Sequence, residues 1–527
     1  MKIKKPAMCI TLFILLIISN IGCIFPESNS FTILSKTVID DNGFPSLKFN
    51  FKANDIIKVK LIAPNKNIIF SDNFYSTESE IIIPLTSYRN NPQSGLYEFM
   101  VYDKNDNLIY NENLRYNETN LSIISFNGHW WKENTKDSNY SLIGITLLVK
   151  NNGDLPSYPY YLDFVINNNN FLSKEIIPGV VLPGETQFIN CSIYIEDIKD
   201  NENNINVSIL DKNDKKLAKS SFLVVPQENM VINNFIWEYN GENEINLPFP
   251  TFLFDYYSSK ERLDTNDYAA YVFDPYDEQY LLLFIEVLMS ISEDLDNVSI
   301  INLLASFVQN LEYGEDDPLN SSIEYPLFPI EILNKKSCDC EDRSIFVCNV
   351  LMLLGYNVSL ISLPKHMAVG VNLDENLSEY DYYVDDYFYL ETIEKNSVLG
   401  YVPLLYKSIP DQAVVYPITS RPIINHKWKK AEGISVDGNL KFVKLKLIVE
   451  NIGNLYAEDI SITGAFISSD NSIFNEKENF ESILQPLEKK QLNLKLDIPK
   501  DIVTILKTKL FLDDTLVDEK QSTTTFS

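Results

Sequence analysis

Apolar and polar residues alternate with a period of two over much of this chain. IIKVKLIAP at 56–64, SEIIIPL at 79–85 and SGLYEFMVYDKNDNLIY at 94–110 are strand-length pieces punctuated by Asn, Gly and Pro. They predict a small β-sandwich over 46–116. A second follows over 120–226, built on YSLIGITLLVKNNGDLPSYPYYLDFVI, VVLPGET and NINVSILDKNDKKLA. A third spans 426–522, where KLKLIVENIGNLYAEDISITGAFI repeats the pattern of the second. LVKNNGDL (148–155) matches IVENIGNL (448–455) nearly position by position, and VVLPGET (180–186) echoes SILQPLEKK (482–490). The shared text predicts a strand, a turn around Gly153 or Gly453, and a second strand.

Residues 245–420 follow a different pattern. FDPYDEQYLLLFIEVLMSISEDL, NVSIINLLASFVQNLEY and KKSCDCEDRSIFVCNVLMLLGY read as helices. NVSLISLP, HMAVGVNL and YDYYVDDYFYLETI then read as strands. Helices and strands segregated along the chain predict an α+β unit. The fold class expected is therefore multidomain, an α+β core flanked by all-β sandwiches. The repeated sandwiches resemble the adhesion-type immunoglobulin-like domains of secreted archaeal and bacterial proteins.

The N-terminus changes the setting. MKIKK is basic, the run from Ala7 to Ile18 is mostly apolar, and Ser19-Asn20-Ile21-Gly22-Cys23 follows. Charge before a short apolar core fits an export signal over 1–23, with 24–45 as a tether. Gly22-Cys23 resembles a lipoprotein processing site, which would put a lipid anchor on Cys23; an uncleaved anchor and plain secretion are the alternatives. All three place the body outside the cytoplasm, the first two attached to the cell membrane through the N-terminus. Asn-x-Ser sites at Asn120, Asn139, Asn190, Asn206, Asn297, Asn320, Asn357 and Asn376 permit glycosylation. Net charge is −29, from 44 basic and 73 acidic residues, which argues against a nucleic-acid partner. Six Cys in 527 residues do not make a disulfide scaffold.

Three residues carry the candidate chemistry. Cys340 stands where polar text gives way to a helix marked by Ile345, Val347, Val350, Leu351, Leu353 and Leu354, with Gly355 as the stop. A helix start lowers a thiol pKa and offers N–H donors to an oxyanion. His366 is the sole His between 245 and 420, at the entrance of a strand, and is the candidate base. Glu391, in the apolar and aromatic setting of Tyr389, Leu390 and Ile393, is the candidate carboxylate that fixes the imidazole tautomer. Asp385 and Asp386, in a turn-like pair, are the runners-up. A zinc site from Cys338, Cys340, Cys348 and His366 is a competing reading. Against it, Cys348 lies eight residues beyond Cys340, about two helical turns. A reversible Cys338–Cys340 disulfide would close a strained ring.

The stretch LEYGEDD…IEYPLFPIEILNKKSCDCED resembles the transglutaminase-like (papain-like) cysteine enzymes, in particular their extracytoplasmic members, over residues 260–410. The resemblance implies Cys340, within Asp339-Cys340-Glu341-Asp342, as nucleophile, His366 as the His opening a strand, and Glu391 in Tyr389-Leu390-Glu391-Thr392 as third member. Tyr382 and Tyr383 fit the aromatic strand between them. Tyr313 and Asp316 match a Tyr-x-x-Asp segment read as structural. Cys338 departs from the family's usual Gly, and Ile332 from its Thr. Glu341 and Asp342 are expected to cap the helix start or bind nearby backbone, and their charge to oppose the thiolate. Asp342 has a second reading, helping to position substrate. The implied activity is acyl transfer at amide bonds through a thioester, ending in hydrolysis or crosslinking, with no cofactor and no metal. The implied substrate is a protein, a peptide or a cell-wall polymer. The alternative is a non-catalytic surface adhesion or scaffold protein with a degenerate enzyme domain.

Overall fold

The computed structural model describes residues 31–527 except 76–77, 133–138, 174–175, 178, 228–229, 275, 293–294, 315–324, 374–376, 378–379 and 437. The expected export signal with Cys23, and Asp316, lie outside the described residues. What is described is multidomain: a mixed α+β region flanked on both sides by antiparallel β-sheet units.

In the N-terminal unit a three-stranded sheet (Phe31–Asp40, Pro45–Ala53, Glu80–Pro84) faces a four-stranded sheet (Ile68–Phe74, Ile57–Ile62, Gly95–Tyr102, Leu108–Tyr116). Period-two alternation sends Leu47, Phe49 and Phe51 from one sheet, and Val59, Leu61, Phe99 and Val101 from the other, into one core. The tether expected at 24–45 is, over Phe31–Asp40, an edge strand paired with Pro45–Ala53. Half of its residues are exposed and none is fully buried, so it has almost no apolar period to read; backbone pairing and the partly buried Phe31, Ile33 and Val38 hold it.

The second and last units each pair two antiparallel sheets around a core of their own. The repeated text has a shared physical cause. Asn151 ends the strand Asn139–Asn151, and its buried amide donates to Leu155 O and Val181 O, both at 2.9 Å, while its Oδ1 accepts from Gly153 N at 2.9 Å. Asn451 ends Asn439–Asn451 and does the same with Leu455 O (2.8 Å), Leu484 O (3.0 Å) and Gly453 N (3.0 Å). One side chain thus closes the local turn and clips it to a distant segment, the one carrying VVLPGET or SILQPLEKK. Glycine is required beside it. A Cβ on Gly153 would lie 2.7 Å from Glu118 O, and one on Gly453 2.4 Å from Arg421 O.

The central region holds Thr251–Ser258 (α1), Ala269–Val272 (α2), Glu278–Ser290 (α3), Asn297–Asn310 (α4), Pro329–Lys335 (α5) and Cys340–Leu353 (α6). An antiparallel sheet ordered Phe388–Leu390, His366–Asn372, Asn357–Leu363, Val414–Pro417 packs on α6. The other flank of α6 meets α2, α3, α4 and α5, so Glu341 through Leu351 are buried all round. Gly355 has φ +88°, the left-handed geometry that stops the helix. The region begins earlier than 245. The hairpin Met230–Glu238/Glu242–Pro250 adds Phe235, Trp237, Ile245, Leu247 and Phe249 to its core, and Trp237 donates to Ser306 Oγ at 3.0 Å. The aromatic segment 380–393 is a strand only at Phe388–Leu390. Asp385 takes φ +48° and Tyr387 N donates to Val384 O, so Val384-Asp385-Asp386-Tyr387 is a turn.

Removing either clip takes a buried amide donor from two carbonyls and an acceptor from a glycine N–H, though Val181 O keeps Ser157 N at 3.0 Å. Asn151→Ala and Asn451→Ala should each cost about 3 kcal/mol, read as a lower urea midpoint. Unchanged midpoints would show that the repeat is only a sequence echo.

Candidate functional site

The site is assembled on the first turn of α6. Lys336, at φ +59°, ends α5, and Ser337–Cys338 then pairs in parallel with Glu312–Tyr313, so the chain arrives at Asp339 extended. Asp339 is the N-cap: its carboxylate accepts from Asp342 N at 3.3 Å, and Asp342 accepts in turn from Asp339 N at 3.4 Å and from Leu327 N at 2.7 Å. Cys340 is therefore the first helical residue. Asp342 is occupied with backbone, and it is Asp339 that caps.

The strand His366–Asn372 is brought to the same turn by a two-residue hairpin. Leu363 pairs with His366, and Lys365 takes φ +62° between them. The backbone N–H of Met367 acts to lower the Cys340 thiol pKa, and Met367 O accepts from Ser344 Oγ at 3.1 Å, one helical turn along α6. Residues 366–367 thus lie against the Cys340–Ser344 face of the helix.

Glu391 sits immediately past Phe388–Leu390, on the strand neighbouring His366–Asn372. Its Oε2 lies 3.1 Å from His366 Nε2 and accepts from Tyr389 OH at 2.9 Å; its Oε1 accepts from Thr392 N (3.0 Å) and Ile393 N (2.8 Å). A carboxylate only accepts, so the imidazole carries its proton on Nε2 and leaves Nδ1 for exchange. Burial works to raise the Glu391 pKa, but His366, the Ile393 N–H and the Tyr389 hydroxyl outweigh it and hold the carboxyl below its ordinary 4.5. Tyr406 stacks on the His366 ring with centroids 4.7 Å apart and planes 8° from parallel.

The Cys340 thiol is pushed the other way. Burial comes first, then the charge of Glu341 and a hydrogen bond from Sγ to Glu341 Oε2 at 3.1 Å; the Met367 N–H opposes them. The net shift is upward, so the resting sulfur is a neutral thiol.

The other sulfur positions separate from it. Burial raises the Cys338 thiol to about 12. The Cys348 thiol is deep in the core and donates to Ser359 O at 3.4 Å. Among the described residues no three His, Cys, Asp or Glu converge as metal ligands do. Asp385 and Asp386 stay in their turn, and the carboxylate facing His366 is Glu391.

Several residues went unread in the sequence. Arg343 is fully buried, and its guanidinium donates to Thr392 O (3.3 Å) and Leu311 O (3.1 Å). Gln309 Nε2 donates to Glu391 O (2.9 Å) and Ser397 O (3.1 Å). Together they fix the segment carrying Glu391. Arg262 pairs with Glu331 at 2.8 Å, bonds Tyr325 OH at 2.8 Å and lies 4.1 Å above that ring, which anchors the approach to α5. The Tyr-Pro…Pro-x-Glu text held a signal for Glu331 and Tyr325, but not for their partner. A cavity of about 630 Å³ lies elsewhere, lined by Tyr88, Arg89, Tyr158, Lys260, Glu450 and Lys489 among others, and by none of Cys340, His366 and Glu391.

No family model matches the chain, and no curated protein matches it. Solved structures similar to it include a red sea bream transglutaminase, 11% identical, covering 72% of this chain and 79% of that one, with a TM-score of 0.17. A two-domain fibronectin type-III segment of chicken tenascin is 10% identical over 37% of this chain and 98% of its own, at 0.17. An exo-chitosanase from Amycolatopsis orientalis is 7% identical over 91% and 76%, at 0.17. Scores this low do not fix a fold.

A carboxyl held below its unfolded value stabilises the folded state above that value and loses the contribution as pH falls through the lower, folded one. The wild-type protein should therefore lose stability below pH 4.5, the ordinary value of Glu391, and part of that loss should vanish in Glu391→Gln. Urea midpoints measured across acidic pH check this; parallel curves would refute it.

Proposed function

We propose that the protein is an extracytoplasmic, transglutaminase-like thiol enzyme that transfers acyl groups at amide bonds, with immunoglobulin-like modules flanking its catalytic region. The observation that carries this reading is the hydrogen bond of His366 to a depressed Glu391, on the strand whose Met367 O accepts from Ser344 of the helix that Cys340 begins.

His366 Nδ1 takes the thiol proton as the sulfur attacks the amide carbon. N–H groups of the first turn of α6 donate to the developing oxyanion. The imidazolium then gives its proton to the departing amine, the C–N bond breaks, and a thioester on Cys340 remains. Water yields hydrolysis and a second amine yields a crosslink, with His366 as base again. Glu391 stabilises the imidazolium in both halves. The substrate is a protein, a peptide or a cell-wall polymer held outside the membrane.

A second reading is a surface scaffold with an inert thiol. The upward shift of Cys340 and its bond to Glu341 favour it. Alkylation by iodoacetamide, followed residue by residue with mass spectrometry, separates the two. The enzyme reading expects Cys340 to react far faster than Cys348 at neutral pH, and His366→Ala to slow it about 100-fold. Equal, slow labelling of both thiols, unchanged in His366→Ala, would establish the scaffold.

A further inference from the structure

Leu404 and Leu405 are 87% and 73% exposed, the two highest values for large apolar side chains among the described residues. Scattered exposed leucines are ordinary. Two in succession on a fixed turn beside a reactive centre are not. The turn is fixed because Tyr406 N and Lys407 N both donate to Pro403 O, at 2.9 and 3.1 Å, and Tyr383 OH donates to Tyr406 O at 2.8 Å. Pro403 adds a locked φ. The next residue, Tyr406, is the ring stacked on His366, and its hydroxyl is raised by burial and by the charges of Glu391 and Cys340. Consecutive Cα atoms are about 3.8 Å apart, so Leu405 adjoins the residue that covers the imidazole.

We infer that this turn selects the acyl donor, and that the donor carries a bulky apolar side chain next to the reacting amide. The inference rests on the acyl-transfer reading above. A turn already ordered before binding loses little entropy when an apolar group covers it, which suits a transient substrate contact. Leu405 directly precedes the residue stacked on His366, and that adjacency is the ground for choosing a substrate over other occupants. A membrane contact would place the same leucines against lipid, and a second copy would cover them permanently.

The test compares two alkylating agents on the full chain, iodoacetamide and N-benzyl-2-iodoacetamide, with a cysteine peptide as reference. Cys340 should prefer the benzyl reagent by about fivefold over the reference ratio, the order expected for a partial apolar contact. Leu404→Ser/Leu405→Ser should return the ratio to the reference while the iodoacetamide rate stays unchanged. A ratio equal to the reference in the wild-type protein, or one unaltered by the double substitution, overturns the inference. The ratio is measurable even where both rates are slow, so an unreactive Cys340 defeats the acyl-transfer reading separately. Two further controls also count against it: binding to phosphatidylcholine vesicles that the double substitution abolishes, or a dimer in sedimentation that it dissociates.

Discussion

A helix buried on every side must place most of its polar groups against partners inside the protein, and α6 does so while leaving Arg343 Nε and Asn349 Oδ1 unpaired. Asp342 takes Leu327 N, Arg343 takes Leu311 O and Thr392 O, Ser344 takes Met367 O, and Asn349 donates to Val272 O at 2.7 Å. Each bond reaches a different element: the approach to α5, the end of α4, the segment after Glu391, the strand of His366, and α2. Satisfying one helix thereby fixes the elements that carry the candidate chemistry. Leaving any of these groups unpaired would cost about 1–3 kcal/mol, more for the guanidinium. The polar residues of α6 thus hold the strand of His366 and the segment after Glu391 against the helix that Cys340 begins.

What was legible in the sequence was local. The α6 boundaries follow from apolar spacing and Gly355, the strand entrance at His366 from alternation, and the twin turns from LVKNNGDL and IVENIGNL. What was not legible was long-range or aperiodic. Arg343 reads as an ordinary helix residue until Leu311 and Thr392 are seen beside it. Phe31–Asp40 has no buried positions to show its period, and 380–393 has so many aromatics that its strand reads longer than Phe388–Leu390, although Asp385-Asp386 reads as turn-like. Asn151 and Asn451 were inside the matched text, yet their significance lies in Val181 O and Leu484 O, about 30 residues away. Sequence patterns report which face is apolar; they carry little about which buried polar group meets which.

The flanking units are tied to the central region and to each other by similar means. Arg421 pairs with Asp267 at 2.6 Å and Asn425 Nδ2 donates to Asp264 O at 2.7 Å, which joins the last unit to the loop before α2. Lys429 pairs with Asp41, and Lys444, lying over the rings of Phe74 and Tyr75, pairs with Glu78, which joins the last unit to the first. Burial raises the Glu78 carboxyl against the pull of Lys444, so that contact is favourable in geometry but costly in desolvation. Such pairs specify register between units more than they add stability.

Burial first, then the charge of Glu341, explains why the candidate thiol is neutral at rest. Glu341 is adjacent to Cys340, hydrogen-bonded to its sulfur, and disfavours the thiolate. Glu391 is hydrogen-bonded to the His366 ring, and its carboxyl is held below its ordinary value. The thiolate is opposed by burial and by Glu341. On the proposed reading, a substrate amide that displaces Glu341 from the sulfur removes the opposing bond and leaves the His366–Glu391 pair and the Met367 N–H as the interactions that remain. Activation would then be coupled to occupancy by charge alone, without any movement of α6.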